Sequence, residues 1–264
     1  MFKHLKLAVV SAAMGLTFGQ ASAQDLVEAG KLTYGTAATF APFEYTVDGE
    51  LTGFDIELGA HMAGLMGLDV SPLNMEFKGL IPALQGGRID IINSAMYIKP
   101  ERAEQVDFIP YMRVGNEIIV AKGNPKNINS RADLCGMSVA VTLGGIQESY
   151  AREDAAACEA AGKETVKVMT FPTAQDSALT VRQGRADAFF NSTPGATVQI
   201  TALPDVYEIG GETFAAETQI GFAVRKGDAA MKKMVTEALM KSIEDGTYAA
   251  LIEKYNLPAS VSLF

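Results

Sequence analysis

Short apolar runs alternate along this chain with stretches in which apolar residues recur every three or four positions. The stretch Phe54–Met66 has that helical spacing. The predicted strands are Lys31–Thr36, Ile89–Ile92, Glu117–Ala121, Ser138–Val141, Val166–Phe171, Ala186–Phe190 and Gly221–Val224. The predicted helices are Phe54–Met66, Leu80–Leu84, Gln147–Ala161, Ala174–Gln183 and Ala230–Glu244. This alternation predicts an α/β architecture with largely parallel sheets.

One short pattern occurs twice. Gly87-Arg88-Ile89-Asp90 and Gly184-Arg185-Ala186-Asp187 each follow a predicted helix and lead into an apolar strand. Glycine supplies the left-handed conformation that ends the helix and lets the chain reverse. The repetition is either a coincidence in a common helix-to-strand turn or the sign of two similar lobes.

Polar segments follow both of the strands that begin with this pattern. Ligands of open α/β sheets bind beyond the carboxyl ends of the strands. We therefore expect Asn93–Tyr97 and Asn191–Thr193 to line opposite walls of one cleft. No Pro-, Gly- or Ser-rich linker divides the chain, so strands should cross between the lobes, with Glu117–Ala121 and Gly221–Val224 as candidates. Such crossings form a hinge with few flexing residues.

The N-terminus has the order of a secretory signal peptide. Basic Met1–Lys6 precedes an uncharged run, Leu7–Phe18, and the small residues of Ala21–Ala23 follow. The run is shorter than the roughly 20 residues that span a bilayer. We predict cleavage after Ala23; the alternative is a buried N-terminal helix.

Composition and charge narrow the functional classes. The 264 residues include 22 Lys and Arg against 31 Asp and Glu, which gives a net charge of −9. Cleavage of the signal peptide removes Lys3 and Lys6, so the net charge of the mature chain would be −11. This acidity argues against a nucleic-acid partner. Two His and two Cys are too few for a structural zinc site, and we expect no metal and no cofactor. After export, Cys135 and Cys158 should form a disulfide; two buried free thiols are the alternative.

Between Leu32 and Tyr255 the sequence resembles the bacterial extracellular solute-binding proteins of family 3, which serve ABC transporters of polar amino acids. The motifs that carry the resemblance are, in chain order, Gly35–Glu44, Leu51–Leu58, Gly79–Leu84 with Gly87–Asp90, Pro100–Arg102 with Val106–Phe108, and Asp245–Tyr248 with Lys254-Tyr255.

The resemblance implies a two-lobed periplasmic binding protein fold. Each lobe would be a mostly parallel sheet flanked by helices, and two strands would cross at the hinge. The expected segments are a signal peptide over 1–23, a first lobe from 24–118 and 218–264, and a second lobe over 119–217. The protein would be a periplasmic monomer that traps a small carboxylate-bearing solute and delivers it to an inner-membrane ABC permease.

The family's functional positions map onto particular residues. Arg102 matches the arginine that holds the ligand's carboxylate, although it could simply cap a surface helix. Phe40 and Phe77 match the two positions that clamp the ligand's side chain, although both could be core residues. The expected ligand-binding set is Phe40, Phe77, Ser94, Ala95, Tyr97, Arg102, Thr142, Gly145, Ile146, Gln147, Asn191 and Ser192.

Three departures from the family's pattern bear on the ligand. Tyr97 stands where a small hydroxyl residue is common, and Gly144–Gln147 lacks the usual hydroxyls of the glycine turn. Ser192 stands where an aspartate usually takes the α-ammonium group. We therefore expect a carboxylate that lacks a free primary α-amine. The competing hypothesis is that another acid, such as Glu44, supplies the counter-charge.

Two other functions are alternatives to solute binding. One is a lyase on the same fold resembling cyclohexadienyl dehydratase, for which Glu148 is the acid that the sequence places near the cleft. The other is a sensor domain, which is disfavoured because the chain ends at Phe264 with no membrane span or signalling domain attached. The expectation is a binding protein without catalytic residues.

Overall fold

The computed structural model describes residues 26–264, so the predicted signal peptide lies outside the described residues. In chain order the strands are β1 (Lys31–Thr36), β2 (Tyr45–Val47), β3 (Glu50–Thr52), β4 (Asp69–Asn74), β5 (Ile91–Tyr97), β6 (Val106–Arg113), β7 (Asn116–Ala121), β8 (Ser138–Thr142), β9 (Lys167–Phe171), β10 (Ala188–Ser192), β11 (Tyr207–Ile209) and β12 (Gln219–Arg225). The helices are α1 (Phe54–Leu65), α2 (Leu80–Gln85), α3 (Pro100–Ala103), α4 (Ile146–Ala160), α5 (Ala174–Arg182), α6 (Thr193–Ala202), α7 (Ala229–Glu244) and α8 (Thr247–Lys254).

Two five-stranded sheets form the centres of two lobes. The first has the strand order β4-β1-β5-β12-β6, and the second has the order β11-β7-β10-β8-β9. In each sheet four strands run in the same direction, and one strand, β12 or β7, is antiparallel to both of its neighbours. Each sheet contributes to two separate apolar clusters, as expected when helices cover both faces. The predicted two-lobed α/β fold is confirmed.

The repeated Gly-Arg-apolar-Asp pattern builds the same device in both lobes. Gly87 and Gly184 both have φ +67°, the left-handed conformation that ends α2 and α5. Asp90 accepts a hydrogen bond from the N–H of Thr33 at 2.8 Å, and Asp187 accepts one from the N–H of Ser138 at 2.8 Å. Each aspartate thus ties its strand to the neighbouring parallel strand. This correspondence favours two similar lobes over coincidence.

The chain passes between the sheets twice, on adjacent paths. Val114 and Gly115 lead from β6 to β7, and residues 210–218 lead from β11 back to β12. The N–H of Val114 donates to the carbonyl of Thr218 at 2.8 Å, which holds the two paths together. The strands that were predicted to cross between the lobes, β7 and β12, therefore each lie within a single sheet. The residues that do cross come directly before these two strands. The predicted lobe boundaries at 118/119 and 217/218 stay predictions; β7 already enters the second sheet at Asn116.

Strand β5 differs from its prediction. It begins at Ile91 and continues to Tyr97, so the segment expected to follow the strand is its buried second half. Polar residues fit there because other elements supply partners; Asn93, for example, donates from Nδ2 to the carbonyl of Asp55 at 2.8 Å. Asn191 and Ser192 likewise form the end of β10 rather than a following loop.

Several elements were not predicted, among them β4, β6, α6 and α8. In β4 the alternation of buried and exposed positions is weak, and the strand contains Pro72 at the sheet edge. Proline is tolerated at an edge because its missing N–H removes no ladder hydrogen bond there. The local pattern therefore carries little strand signal.

The two cysteines form the predicted disulfide. Cys135 follows a 3₁₀ turn at Arg131–Leu134, and Cys158 lies in the last turn of α4, with their Cα atoms 5.5 Å apart. Over residues 26–264, no helix combines the length and apolarity that crossing a bilayer requires. In the same range, no group of three or more His, Cys, Asp or Glu side chains is placed to hold a metal ion.

Candidate functional site

A small cavity lies between the two lobes, with a volume of about 40 Å³. Its walls come from the ends of strands in both sheets and from the start of α4. The lining residues are Ala37, Thr39, Phe40, Phe77, Ala95, Tyr97, Thr142, Gly145, Ile146, Gln147 and Ala174. Eight of the twelve predicted site residues therefore meet in one cavity, and Ser94, Arg102, Asn191 and Ser192 lie outside its lining.

The first-lobe wall is organised by the second half of β5. Ser94 lies behind the cavity, where its Oγ accepts from the N–H of Ala37 at 2.9 Å and donates to Oε1 of Glu44 at 2.8 Å. Ala95 lines the cavity with φ +35°, and its N–H donates to Oδ2 of Asp55 at 2.6 Å. Ser94 thus supports the wall, and Ala95 is part of it.

Tyr97 lines the cavity. Its hydroxyl is buried and makes no hydrogen bond to any residue that the structure describes. Burial raises the pKa of Tyr97 far above its usual range. Ser192 and Gln147 of the second lobe lie near the hydroxyl but form no hydrogen bond with it. Tyr97 is therefore a neutral donor and acceptor facing the other lobe.

Arg102 lies at the edge of the cavity on α3, where it is 4% exposed. One terminal nitrogen donates to the carbonyl of Tyr97 and the other to the carbonyl of Gly144 across the cleft, both at 2.7 Å. Its guanidinium carbon is 5.2 Å from the ring centroid of Phe77, in cation–π range. Burial lowers the pKa of Arg102 to about 10, so the side chain stays charged at neutral pH. A guanidinium has five N–H donors, which leaves donors for a further acceptor.

The second-lobe wall is the start of α4. Gly144, with φ +77°, and Gly145 form the turn before the helix, and Gly145, Ile146 and Gln147 border the cavity. Gln147 donates from Nε2 to Oδ1 of Asn116 at 2.9 Å, which fixes its amide inside the second lobe. The positive end of the helix dipole therefore faces the cavity.

Glu148 is turned away from the cavity. Its carboxylate accepts from the N–H of Gly144 at 2.7 Å and from Arg152 at 2.9 and 2.6 Å. These contacts occupy the acid that the lyase hypothesis required.

The lobes touch at several points around the cavity. Besides the hydrogen bond from Arg102 to Gly144, Lys99 donates from Nζ to Oγ of Ser149 at 3.0 Å. Lys78 packs so closely on Gly144 that a Cβ on that glycine would lie 3.2 Å from the Cβ and 3.5 Å from the Cα of Lys78. The structure is a closed arrangement of the two lobes.

Comparison with known proteins identifies the family. The profile of the bacterial extracellular solute-binding proteins, family 3, matches residues 32–258. The chain belongs to this family.

Relatives and solved structures agree with that assignment. The chain is 31% identical over 230 residues to the L-cystine-binding protein TcyJ of Escherichia coli strain K12, an alignment that covers 86% of this chain and 83% of the relative. Its fold is similar to that of an ancestral arginine-binding protein bound to arginine, with a TM-score of 0.79, 38% identity, and coverage of 86% and 98%. It is also similar to AncCDT-1, described as an ancestral amino acid-binding protein and a precursor of cyclohexadienyl dehydratase, with a TM-score of 0.75, 36% identity, and coverage of 86% and 95%.

As a solute-binding protein of family 3, the chain departs from the expected site at the end of β10. Ser192 is fully buried, and its Oγ accepts from the N–H of Gly195 at 3.1 Å as the N-cap of α6. Asn191 lines a neighbouring cavity of about 30 Å³ that shares Thr39, Phe40 and Ala174 with the first. No residue in the lining of either cavity is acidic.

Glu44, the acid proposed as an alternative counter-charge, does not reach the cavity. It is fully buried behind the first-lobe wall, where Ser94 contacts its carboxyl group. The residues that sequence analysis missed are Ala37, Thr39 and Ala174. They are small and follow the ends of β1 and β9, and the rule that ligands bind beyond strand ends could have found them.

Proposed function

We propose that this family 3 solute-binding protein serves an ABC importer and closes its two lobes on a small solute that carries a carboxylate. We further propose that the solute is an amino acid derivative or related acid without a free primary α-amine. One observation carries the proposal: the charged guanidinium of Arg102 lies buried beside a cavity whose lining has no acidic residue.

Charge complementarity supports an anionic ligand. Arg102 and the N-terminus of α4 both favour negative charge, and a planar guanidinium binds a carboxylate through paired hydrogen bonds. A buried ammonium group without a counter-ion costs several kcal/mol, and each 1.4 kcal/mol reduces affinity tenfold. A ligand without a primary ammonium group avoids this cost.

The lining supports an apolar or aromatic side chain on the ligand. Phe40 and Phe77 both border the cavity, and Tyr97 and Ile146 add further apolar surface. Aromatic faces pack well against alkyl groups and rings. We propose that Phe40 and Phe77 hold this part of the ligand, while Arg102 holds the carboxylate and Gln147 and Asn191 offer neutral polar contacts.

The cellular setting follows from the family and from the N-terminal sequence. We propose export by a signal peptide that is cleaved after Ala23, action as a monomer in the periplasm, and delivery of the solute to an inner-membrane permease. The names of the relatives support an amino acid or a close derivative as the solute class.

Calorimetry with matched ligands tests the proposal. The purified mature chain is titrated with the twenty amino acids, their N-methylated and N-trimethylated forms, and the 2-hydroxy acids with the same side chains. We expect at least one amine-modified or amine-free acid to bind tenfold or more tightly than its unmodified counterpart. Micromolar binding of an ordinary amino acid, with no binding of its modified forms, would refute the amine-free ligand.

The variant Ser192→Asp sharpens the test. Aspartate is as good an N-cap as serine and adds the negative charge that the family usually places there. We expect a preference for unmodified amino acids to appear, by tenfold or more, together with weaker binding of amine-free acids. Ser192→Asn, which keeps the cap without the charge, is the control and should leave the preference unchanged. Absence of any binding and of any ligand-dependent closure in X-ray scattering would contradict the importer role itself.

A further inference from the structure

Two acidic side chains lie side by side behind the first-lobe wall of the cavity. Glu44 and Asp55 are both fully buried. Asp55 is in the first turn of α1, and Glu44 directly precedes β2. The N–H of Asp55 donates to the carbonyl of Phe43, the residue before Glu44, at 2.9 Å, and the two carboxyl groups contact the consecutive residues Ala95 and Ser94 of β5. The two acids are therefore neighbours, and neither can donate a hydrogen bond while both are ionised.

The surroundings of the two carboxyl groups are unequal. Asp55 accepts at Oδ1 from the hydroxyl of Tyr111 and at Oδ2 from the N–H of Ala95, both at 2.6 Å. Glu44 accepts only from Ser94, at Oε1, and no donor among the described residues reaches its Oε2. A buried oxygen that lacks a partner is costly for an anion, but it is a normal place for the proton of a neutral acid.

The other groups that act on the pair do not neutralise it. They are tyrosines, namely Tyr34 on β1, Tyr111 on β6 and Tyr248 on α8. No lysine, arginine or histidine of residues 26–264 is among the main influences on either carboxyl group. Two neighbouring buried carboxylates without a cationic partner cannot both stay ionised near neutral pH.

We propose that Glu44 and Asp55 hold one proton between them, which Glu44 donates from Oε2 to Asp55, and that this proton positions the first-lobe wall of the cavity. Ionised Asp55 then accepts from three donors, and every oxygen of the pair has a partner. Burial and the charge of Asp55 raise the pKa of Glu44 well above its usual range. Burial also raises the pKa of Asp55, to about 7, against the opposing effect of its hydrogen bonds, so the pair holds a single proton above that pH.

The pair controls two residues that line the cavity. Ala95 has φ +35°, a conformation that side-chain-bearing residues rarely adopt, and its hydrogen bond to ionised Asp55 offsets that strain. Ala37 is held through Ser94, which bridges the N–H of Ala37 to Glu44. Loss of the proton would place two negative charges behind this wall and disturb both residues. The consequence for ligand affinity rests on the proposed function, but the shared proton does not.

The sign of the pH dependence follows from linkage. The folded chain holds a proton that the unfolded chain releases near the ordinary pKa of glutamate, about 4.5. The stabilisation from this proton is complete below that pH and is lost as pH rises toward the higher folded-state pKa. Within that interval the unfolding equilibrium constant should rise by up to tenfold per pH unit from this group.

The variant Glu44→Gln separates the proton from the contacts. Its Oε1 can still accept from Ser94, and its Nε2 can donate permanently to Asp55. NMR of the whole mature chain, without ligand, follows the side-chain carboxyl carbons and the amides of Ala37 and Ala95 from pH 4 to 9. In the unsubstituted chain we expect one glutamate carboxyl to titrate far above 4.5, with both amides shifting in the same step. In Glu44→Gln that glutamate step should disappear, and the amide of Ala37, which Ser94 connects to residue 44, should keep its low-pH position.

Glu50→Gln is the control, because it makes the same chemical change at an exposed position on β3; it should keep the step. A Glu44 carboxyl that titrates near 4.5 in the unsubstituted chain would overturn the proposal, even if Glu44→Gln fails to fold. Persistence of the Ala37 amide step in a folded Glu44→Gln would overturn it as well. No ligand is used, so a negative result here is distinct from a failure of the proposed function.

Discussion

Replacement of Arg102 by alanine is the perturbation whose effect the structure allows us to work out most fully. The side chain is 4% exposed and makes two charge-assisted hydrogen bonds, to the carbonyl groups of Tyr97 and Gly144. The second of these joins the lobes. The substitution therefore removes the proposed carboxylate partner and one of the contacts that hold the closed arrangement together.

The magnitude follows from the loss of a buried charged partner. Truncating one member of a buried, hydrogen-bonded charge pair costs about 2–5 kcal/mol in binding. At 1.4 kcal/mol for each factor of ten, affinity should fall roughly 30- to 4,000-fold. Arg102→Lys keeps the charge but loses the planar fork, so it should lie between Arg102→Ala and the unsubstituted chain.

Calorimetry with the best-binding acid of the matched series measures this loss, and X-ray scattering measures ligand-dependent closure. Arg88→Ala removes an exposed arginine in the turn after α2 and should change affinity by less than threefold. Thermal unfolding checks that each variant is folded. An Arg102→Ala protein that is folded and binds within threefold of the unsubstituted chain would refute the assignment of the carboxylate to Arg102.

The remaining predictions concern the scaffold and the excluded acid. Replacing Cys135 and Cys158 together by serine opens a loop that spans a sequence separation of 23 residues. We expect the free energy of unfolding to fall by about 3 kcal/mol and Tm to fall by roughly 6–12 °C in scanning calorimetry. A loss below about 1 kcal/mol would contradict the chain-entropy argument. Asp187→Ala removes the acceptor for the N–H of Ser138. Denaturant unfolding should show about 1–3 kcal/mol of destabilisation, with ligand affinity unchanged. An unchanged denaturation midpoint would count against a structural role for the repeated Gly-Arg-apolar-Asp pattern. Glu148→Gln should have a ligand affinity within threefold of that of the unsubstituted chain, because the carboxylate of Glu148 contacts Gly144 and Arg152 outside the cavity. A large loss of affinity would show that this acid takes part in ligand binding.

Much of the candidate site was predictable because its residues match functional positions of the family that the sequence resembles. Gly145, Ile146 and Gln147 lie at the glycine turn that begins a helix, and Phe40 and Phe77 match the two positions that clamp the ligand's side chain. The small residues Ala37 and Thr39 carry no such signal. They line the cavity only because β1 ends there, which is a property of the sheet.

The roles of polar residues were harder to predict. Ser192 occupies the position of a ligand contact, yet its hydroxyl caps α6. Glu44 was the alternative counter-charge, yet its carboxyl group accepts from Ser94 behind the wall, next to Asp55. A polar side chain can satisfy its hydrogen bonds with ligand, backbone or another side chain, and the sequence does not distinguish these partners.

The sequence alone determined the alternation of strands and helices, the repeated glycine–aspartate turns and the pairing of two cysteines. These depend on local spacing, glycine conformation and the count of thiols, which are properties of short segments. Tertiary structure alone decided that β5 runs through Asn93–Tyr97, that Arg102 spans the lobes to Gly144, and that Glu44 meets Asp55. Burying polar and charged groups is favourable only when partners arrive from distant parts of the chain, and folding brings those partners together.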